Sequence, residues 1–85
     1  MKKRIGVIAI VIEEREKASR QVNRIFSDYA ENILGRMGIP SREYDLNMIS
    51  LIVEGTPDQI GAMTGKLGNL PGITLKSALT SKEVG

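Results

Sequence analysis

The chain has 85 residues, a formal net charge of +2, and neither histidine nor cysteine. A single domain of this size buries only about 60% of the surface its unfolded chain exposes, so its core is thin. The missing residues exclude disulfides, thiolate-held zinc or iron–sulfur clusters, and the commonest general base, so no cofactor is expected.

Met1–Ile12 reads MKKRIGVIAIVI and has the outline of a signal peptide. The apolar run from Ile5 to Ile12 is followed at once by EEREK, without small residues for cleavage, and it is far short of the ~20 residues that span a bilayer. It reads instead as a strand apolar on both faces, with Ile5, Val7, Ala9 and Val11 on one side and Gly6, Ile8, Ile10 and Ile12 on the other. A cytoplasmic location follows, with no membrane partner. From 16 to 32 the period changes. Ala18, Val22, Ile25, Phe26, Tyr29 and Ile33 form a helical stripe, with Arg20, Arg24, Asp28 and Glu31 opposite.

The segment 34–42, LGRMGIPSR, contains Gly35, Gly38 and Pro40, which argue against a helix and for an edge strand. Residues 47–54 alternate, with Ile49, Leu51 and Val53 on one face and Met48, Ser50, Ile52 and Glu54 on the other. Thr56 then caps a helix over 57–67, with Pro57 at its first position and Gln59 completing a capping box. Gly68 and Asn69 are candidates for a left-handed helix end. A last strand spans 73–80, and the tail SKEVG is expected to fray.

The order strand, helix, strand, strand, helix, strand is the ferredoxin-like split βαβ arrangement, an α+β fold with a four-stranded antiparallel sheet and two helices on one face. The strands 5–12 and 47–54 are then central, and 34–42 and 73–80 are edges. One sheet face stays uncovered although the first strand is apolar on both faces and the uncovered face also carries Met48 and Ile52. Such a face is a liability in a monomer, so self-association as a dimer or tetramer is expected, by face, by edge, or both.

Two motifs and a few side chains invite chemistry. GAMTGKLG at 61–68 has its first glycine one place late for a phosphate loop, lacks the hydroxyl residue, and lies at a helix end of the wrong polarity for an anion. GRMG at 35–38 has the spacing of a nucleotide-clamping Gly-X-X-Gly loop, but Pro40 and a strand follow it and no basic stripe accompanies it. No histidine can activate the hydroxyls, Glu13 and Glu14 need not converge, and Lys66 suits a helix C-terminus, so no enzyme is expected. Two readings of 34–42 stay open. In one the glycines only bend an edge that pairs with another subunit. In the other they open the wall of a ligand pocket, with Arg36 as an anion partner.

RIGVIAIVIEEREKASRQVNRIFSDYAENILGRMGIPSRE and MISLIVEGTPDQIGAMTGKLGNLPGITLKSA resemble the iron-only hydrogenase system regulators over about residues 4 to 79. The most specific pieces are GRMGIP with Arg42-Glu43, and GKLGNLPGI. The resemblance implies a single ACT-like domain over 1–85 with a regulatory, ligand-sensing role near that hydrogenase system, and a protein partner. It also implies a ligand site at a subunit interface formed by the loop after the first strand, Glu13, Glu14 and Arg15 onward to Lys17, and by the adjoining strand, Gly35, Arg36, Met37, Gly38 and Ile39. The acidic pair Glu13-Glu14 departs from the small residues usual in amino-acid-binding ACT loops. The C-terminal part is similar to the ACT-like sensor domain of the nickel-responsive repressor. That domain holds nickel with histidine and cysteine, which are absent here, and its separate DNA-binding arm has no counterpart, which argues against direct DNA binding. The alternatives from other classes are an assembly module that binds protein and no small ligand and, behind it, an RNA-binding protein.

Overall fold

The computed structural model describes residues 2–13 and 16–85. β1 (Lys3–Glu13) runs through the middle of the sheet because it can be buried on one face and paired on both edges. It pairs antiparallel with β3 (Leu46–Gly55), placing Ile8 opposite Leu51 and Ile10 opposite Ile49. On its other edge it pairs antiparallel with β4 (Ile73–Val84), with Ile10 opposite Leu75. β2 (Ile33–Ser41) completes the four-stranded order β2-β3-β1-β4. The expected ferredoxin-like sheet, with its central and edge strands, is therefore present.

The helices α1 (Glu16–Asp28) and α2 (Pro57–Gly68) cover one face. Ala18, Val22 and Phe26 from α1, and Ile60, Met63 and Leu67 from α2, are buried against Ile8, Ile10, Ile12, Ile49, Leu51 and Val53. No polar or charged residue is buried in this core among the described residues.

Local chemistry sets the ends of the elements. Thr56 accepts a hydrogen bond from the backbone N–H of Gln59, and the Gln59 side chain accepts one from the Thr56 N–H, so the capping box forms as its spacing requires. The C-terminal end of α2 differs from expectation: Asn69 stays in the right-handed region, with φ −82° and ψ −9°. The left-handed backbone lies instead at Asp45, φ 54°, in the β2–β3 turn, and at Gly72, φ 80°, just before β4. At Gly72 only glycine avoids a steric penalty.

Two boundaries also differ. α1 stops at Asp28, and a 3₁₀ turn over Ala30–Asn32 follows, where a continuous helix to 32 was expected. Tyr29 leaves the helical region, with φ −114° and ψ 26°. The Asn32 side chain donates to the carbonyl oxygen of Glu54 at 3.0 Å, anchoring the tightened turn to β3. The tail expected to fray is instead strand as far as Val84, which pairs with Lys3. The pairing has an irregularity between Arg4 and Gly6, and there the Thr80 hydroxyl donates to the Ile5 carbonyl at 2.6 Å.

Gly6 marks the closest approach of β1 and β4. A Cβ there would lie 2.8 Å from the Ala78 carbonyl oxygen, a backbone atom that cannot easily move. Gly6→Ala is expected to destabilise the domain by about 1–3 kcal/mol through overpacking, read as a lower urea midpoint. Gly61→Ala, where a Cβ meets nothing within 4 Å inside α2, should raise stability by about 0.5–1 kcal/mol. Thr56→Ala removes the capping box and should cost about 1 kcal/mol, measured as a fall in thermal midpoint.

Candidate functional site

The face of the sheet away from the helices is uncovered. Its residues follow from the strand registers: Ile5, Val7, Ala9 and Val11 on β1; Met48, Ser50 and Ile52 on β3; Gly35, Met37 and Ile39 on β2; Thr74, Lys76 and Ala78 on β4. The exposed apolar side chains are unevenly spread across it. Met37 is 62% exposed, Ile39 52%, Ile52 41%, Val7 41% and Met48 38%, and all but Val7 stand on β2 and β3. A shallow hollow of about 190 Å³ lies between β1, β3 and β2, floored by Ala9 and Val11 and walled by Met37, Ile39 and Met48. The β4 side of the face is small or polar.

The two edges differ in the same sense. β4 carries Thr74, Lys76, Ser77, Thr80 and Lys82 along its exposed length. Lysines and polar residues on an edge strand discourage pairing with another chain. β2 offers Leu34, Met37 and Ile39, all more than half exposed, beside two glycines.

The residues expected in the site divide by side of the sheet. Gly35 pairs with Ile52, Met37 with Ser50 and Ile39 with Met48, which places them on the open face. Arg36 pairs with Leu51 and Gly38 with Ile49, which places them on the helix face. There the Arg36 guanidinium lies 5.0 Å from the centre of the Phe26 ring. Such a contact is worth about 0.5–1 kcal/mol at an exposed site and favours this orientation of the guanidinium. Asn23, Phe26, Ser27, Ala30, Ile33 and Arg36 line an open cleft of about 330 Å³ between α1 and β2. Among the described residues no carboxylate lines it.

Glu13 ends β1, and its backbone N–H donates to the Gly72 carbonyl at 2.9 Å. It pairs with Leu46, which pairs with Ser41, so two interstrand spacings, about 10 Å, separate it from β2. The chain does not by itself bring Glu13 and the 35–39 segment together. Glu14 and Arg15 lie outside the described residues. A second cleft, of about 230 Å³, is lined by Lys17, Ala18, Gln21 and Pro71. The stacking of Arg36 on Phe26 escapes sequence reading because the two residues meet only in the folded chain. Lys66, read as a solvated helix-end cation, lies 5.1 Å from the Tyr29 ring centre.

Among the described residues no helix is long and apolar enough to cross a membrane, and no group of three or more potential ligands could hold a metal.

Comparison with known proteins agrees with this geometry. The solved structure of the uncharacterized protein TM1266 from Thermotoga maritima is 42% identical, with a TM-score of 0.90, covering 92% of this chain and 98% of that one. The ACT domain from GTP pyrophosphokinase of Chlorobium tepidum is 18% identical, with a TM-score of 0.75, covering 89% of this chain and 99% of that one, and shows the shared ACT-like fold. The C-terminal domain of the MgtC protein from Mycobacterium tuberculosis has the same fold at 14% identity, with a TM-score of 0.69 and coverage of 91% and 87%. No curated protein matches. Residues 4–77 match the TM1266-like iron-only hydrogenase system regulators, and the chain belongs to that family.

Proposed function

We propose that this chain is a non-enzymatic ACT-like regulatory domain of the cytoplasm, working as a homo-oligomer that senses a small ligand between its subunits. The observation that carries the reading is the uncovered sheet face, whose exposed methionines and isoleucines gather on β2 and β3 beside an apolar edge. A surface of that kind on a domain this small is an interaction surface. The family supplies the regulatory role. The absence of histidine and cysteine supports binding over catalysis.

The ligand would lie where the loop after β1, with Glu13, Glu14 and Arg15, meets the 35–39 strand of a neighbouring subunit. Arg36, steadied on Phe26 and with no carboxylate among the described residues lining its cleft, is the anion-binding group of that strand. A ligand that binds only the assembled interface stabilises the assembly by its differential affinity, and this is how a domain without catalytic groups can regulate. A protein partner would read the assembled state. The second reading, an assembly module without a small ligand, draws on the same apolar surface and dispenses with the clefts.

Native mass spectrometry of the protein as purified distinguishes them. The expected result is a dimer or tetramer carrying an additional small mass, and Arg36→Met should remove that mass while leaving the oligomer. An oligomer with no added mass, even after supplying candidate small anions, would favour the assembly module. A monomer would contradict both.

A further inference from the structure

The cleft between α1 and β2 gathers polar groups that their own chain leaves unused. Asn23, Phe26 and Ser27 line it from α1, Ala30 from the turn that follows, and Ile33 and Arg36 from β2. Its volume, about 330 Å³, is at the low end of the range of small-molecule sites, so its occupant is small. The Arg36 guanidinium lies over the Phe26 ring and makes no hydrogen bond or ion pair among the described residues. A guanidinium with its face on a ring keeps its N–H donors at its edge, where they match the two oxygens of a carboxylate. The Asn23 side-chain amide also has no partner among the described residues. The Ser27 hydroxyl donates to the Asn23 backbone carbonyl at 3.1 Å, so its oxygen is left as an acceptor.

We propose that this cleft takes a small hydroxycarboxylate. Its carboxylate meets Arg36, its hydroxyl donates to the Ser27 oxygen and accepts from the Asn23 amide, and a short apolar body lies against Ala30 and Ile33. The ligand carries no amine. This rests on the reading of Arg36 as the anion-binding group of a sensing domain, and it names the chemical class that the domain senses.

Other classes fit the lining less well. An amino acid brings an ammonium group into cationic surroundings. Arg20 and Arg24, both exposed, stand one helical turn before Asn23 and Ser27, and no carboxylate among the described residues lines the cleft. Glu13, at the loop expected to complete the site from a neighbouring subunit, already interacts within its own chain. A phosphate suits the arginine but not the rest of the cleft. Ser27 belongs to the last turn of α1, which ends at Asp28 and holds no basic residue there, so the negative pole of the helix favours a single charge over a double one. A plain carboxylic acid leaves Asn23 and Ser27 dehydrated and unpaired.

Leucic acid, isocaproic acid and leucine share one carbon skeleton and differ only in a hydroxyl, a hydrogen or an ammonium group at one carbon. Titrating each of them, and inorganic phosphate, into the protein while following backbone amide chemical shifts tests the class. Leucic acid is expected to shift the amides of Ser27 and Arg36 and to saturate. Isocaproic acid should bind about two- to tenfold more weakly, the loss of one neutral hydrogen bond. Leucine and phosphate should bind more than about tenfold more weakly than leucic acid. Ser27→Ala, a good helix former at an exposed position, should keep the fold and bring leucic acid down to the affinity of isocaproic acid. Arg36→Lys keeps the charge without the fork and should weaken both acids to the same extent.

Isocaproic acid binding as tightly as leucic acid, or an unchanged ratio in Ser27→Ala, would overturn the assignment of the hydroxyl and with it the class. Leucine binding as tightly would overturn it in favour of a carboxylate supplied by a neighbouring subunit, and phosphate binding as tightly in favour of a plain anion site. If no probe shifts these amides while the native oligomer carries a small mass that Arg36→Met removes, the class falls and the sensing reading stands. If no probe binds and the oligomer carries no such mass, both fall together.

Discussion

A four-stranded sheet with two helices can bury one face only, and β1 is apolar on both. Ile8, Ile10 and Ile12 enter the core with no measurable cost in polarity, because no charged or polar side chain is buried there among the described residues. Their alternates Val7 and Val11, with Met48 and Ile52 from β3, are left on the other side. Among the described residues no further element lies over them. The hydrophobic driving force that folds the domain is thus only partly used within it, and the remainder is available for association.

The molecule directs that remainder to one side. β4 carries lysines and threonines, whereas β2 is apolar and broken by glycines that serve no contact in their own chain. The same strand places Arg36 on the helix face, stacked on Phe26 and bordering a cleft that no carboxylate among the described residues lines. The proposed interaction surface and the proposed anion-binding group therefore share five residues on opposite sides of one strand. A ligand held at Arg36 would feel any change in how β2 is paired, and by linkage the pairing would feel the ligand.

Much of this was legible in the sequence, for identifiable reasons. Alternation assigned the two faces of β3, the continuous apolar run marked β1 as a strand apolar on both faces, and the Thr56–Gln59 spacing announced the capping box. The family was legible in GRMGIP and GKLGNLPGI. The end of α1 was not, because Phe26, Tyr29 and Ile33 keep a helical period across a turn that Asn32 tightens through a hydrogen bond to a strand 22 residues away. The length of β4 was hidden because its last residues are polar, and they are held by pairing to Lys3 and Arg4 and by the Thr80 hydroxyl on Ile5. In the 35–39 segment the residues were grouped as one surface. Alternation along a strand divides them between two faces, and only the paired register shows which residue faces the helices.

The central claim is that the apolar side of this domain is covered by association between copies. Small-angle X-ray scattering in solution tests it most directly. The isolated chain has a Cα radius of gyration of 12.8 Å. The account predicts a particle with at least twice the mass of one chain and a radius of gyration well above that value. A particle of single-chain mass with a radius near 13 Å at all accessible concentrations would contradict it, as expected for a folded chain of about this length on its own.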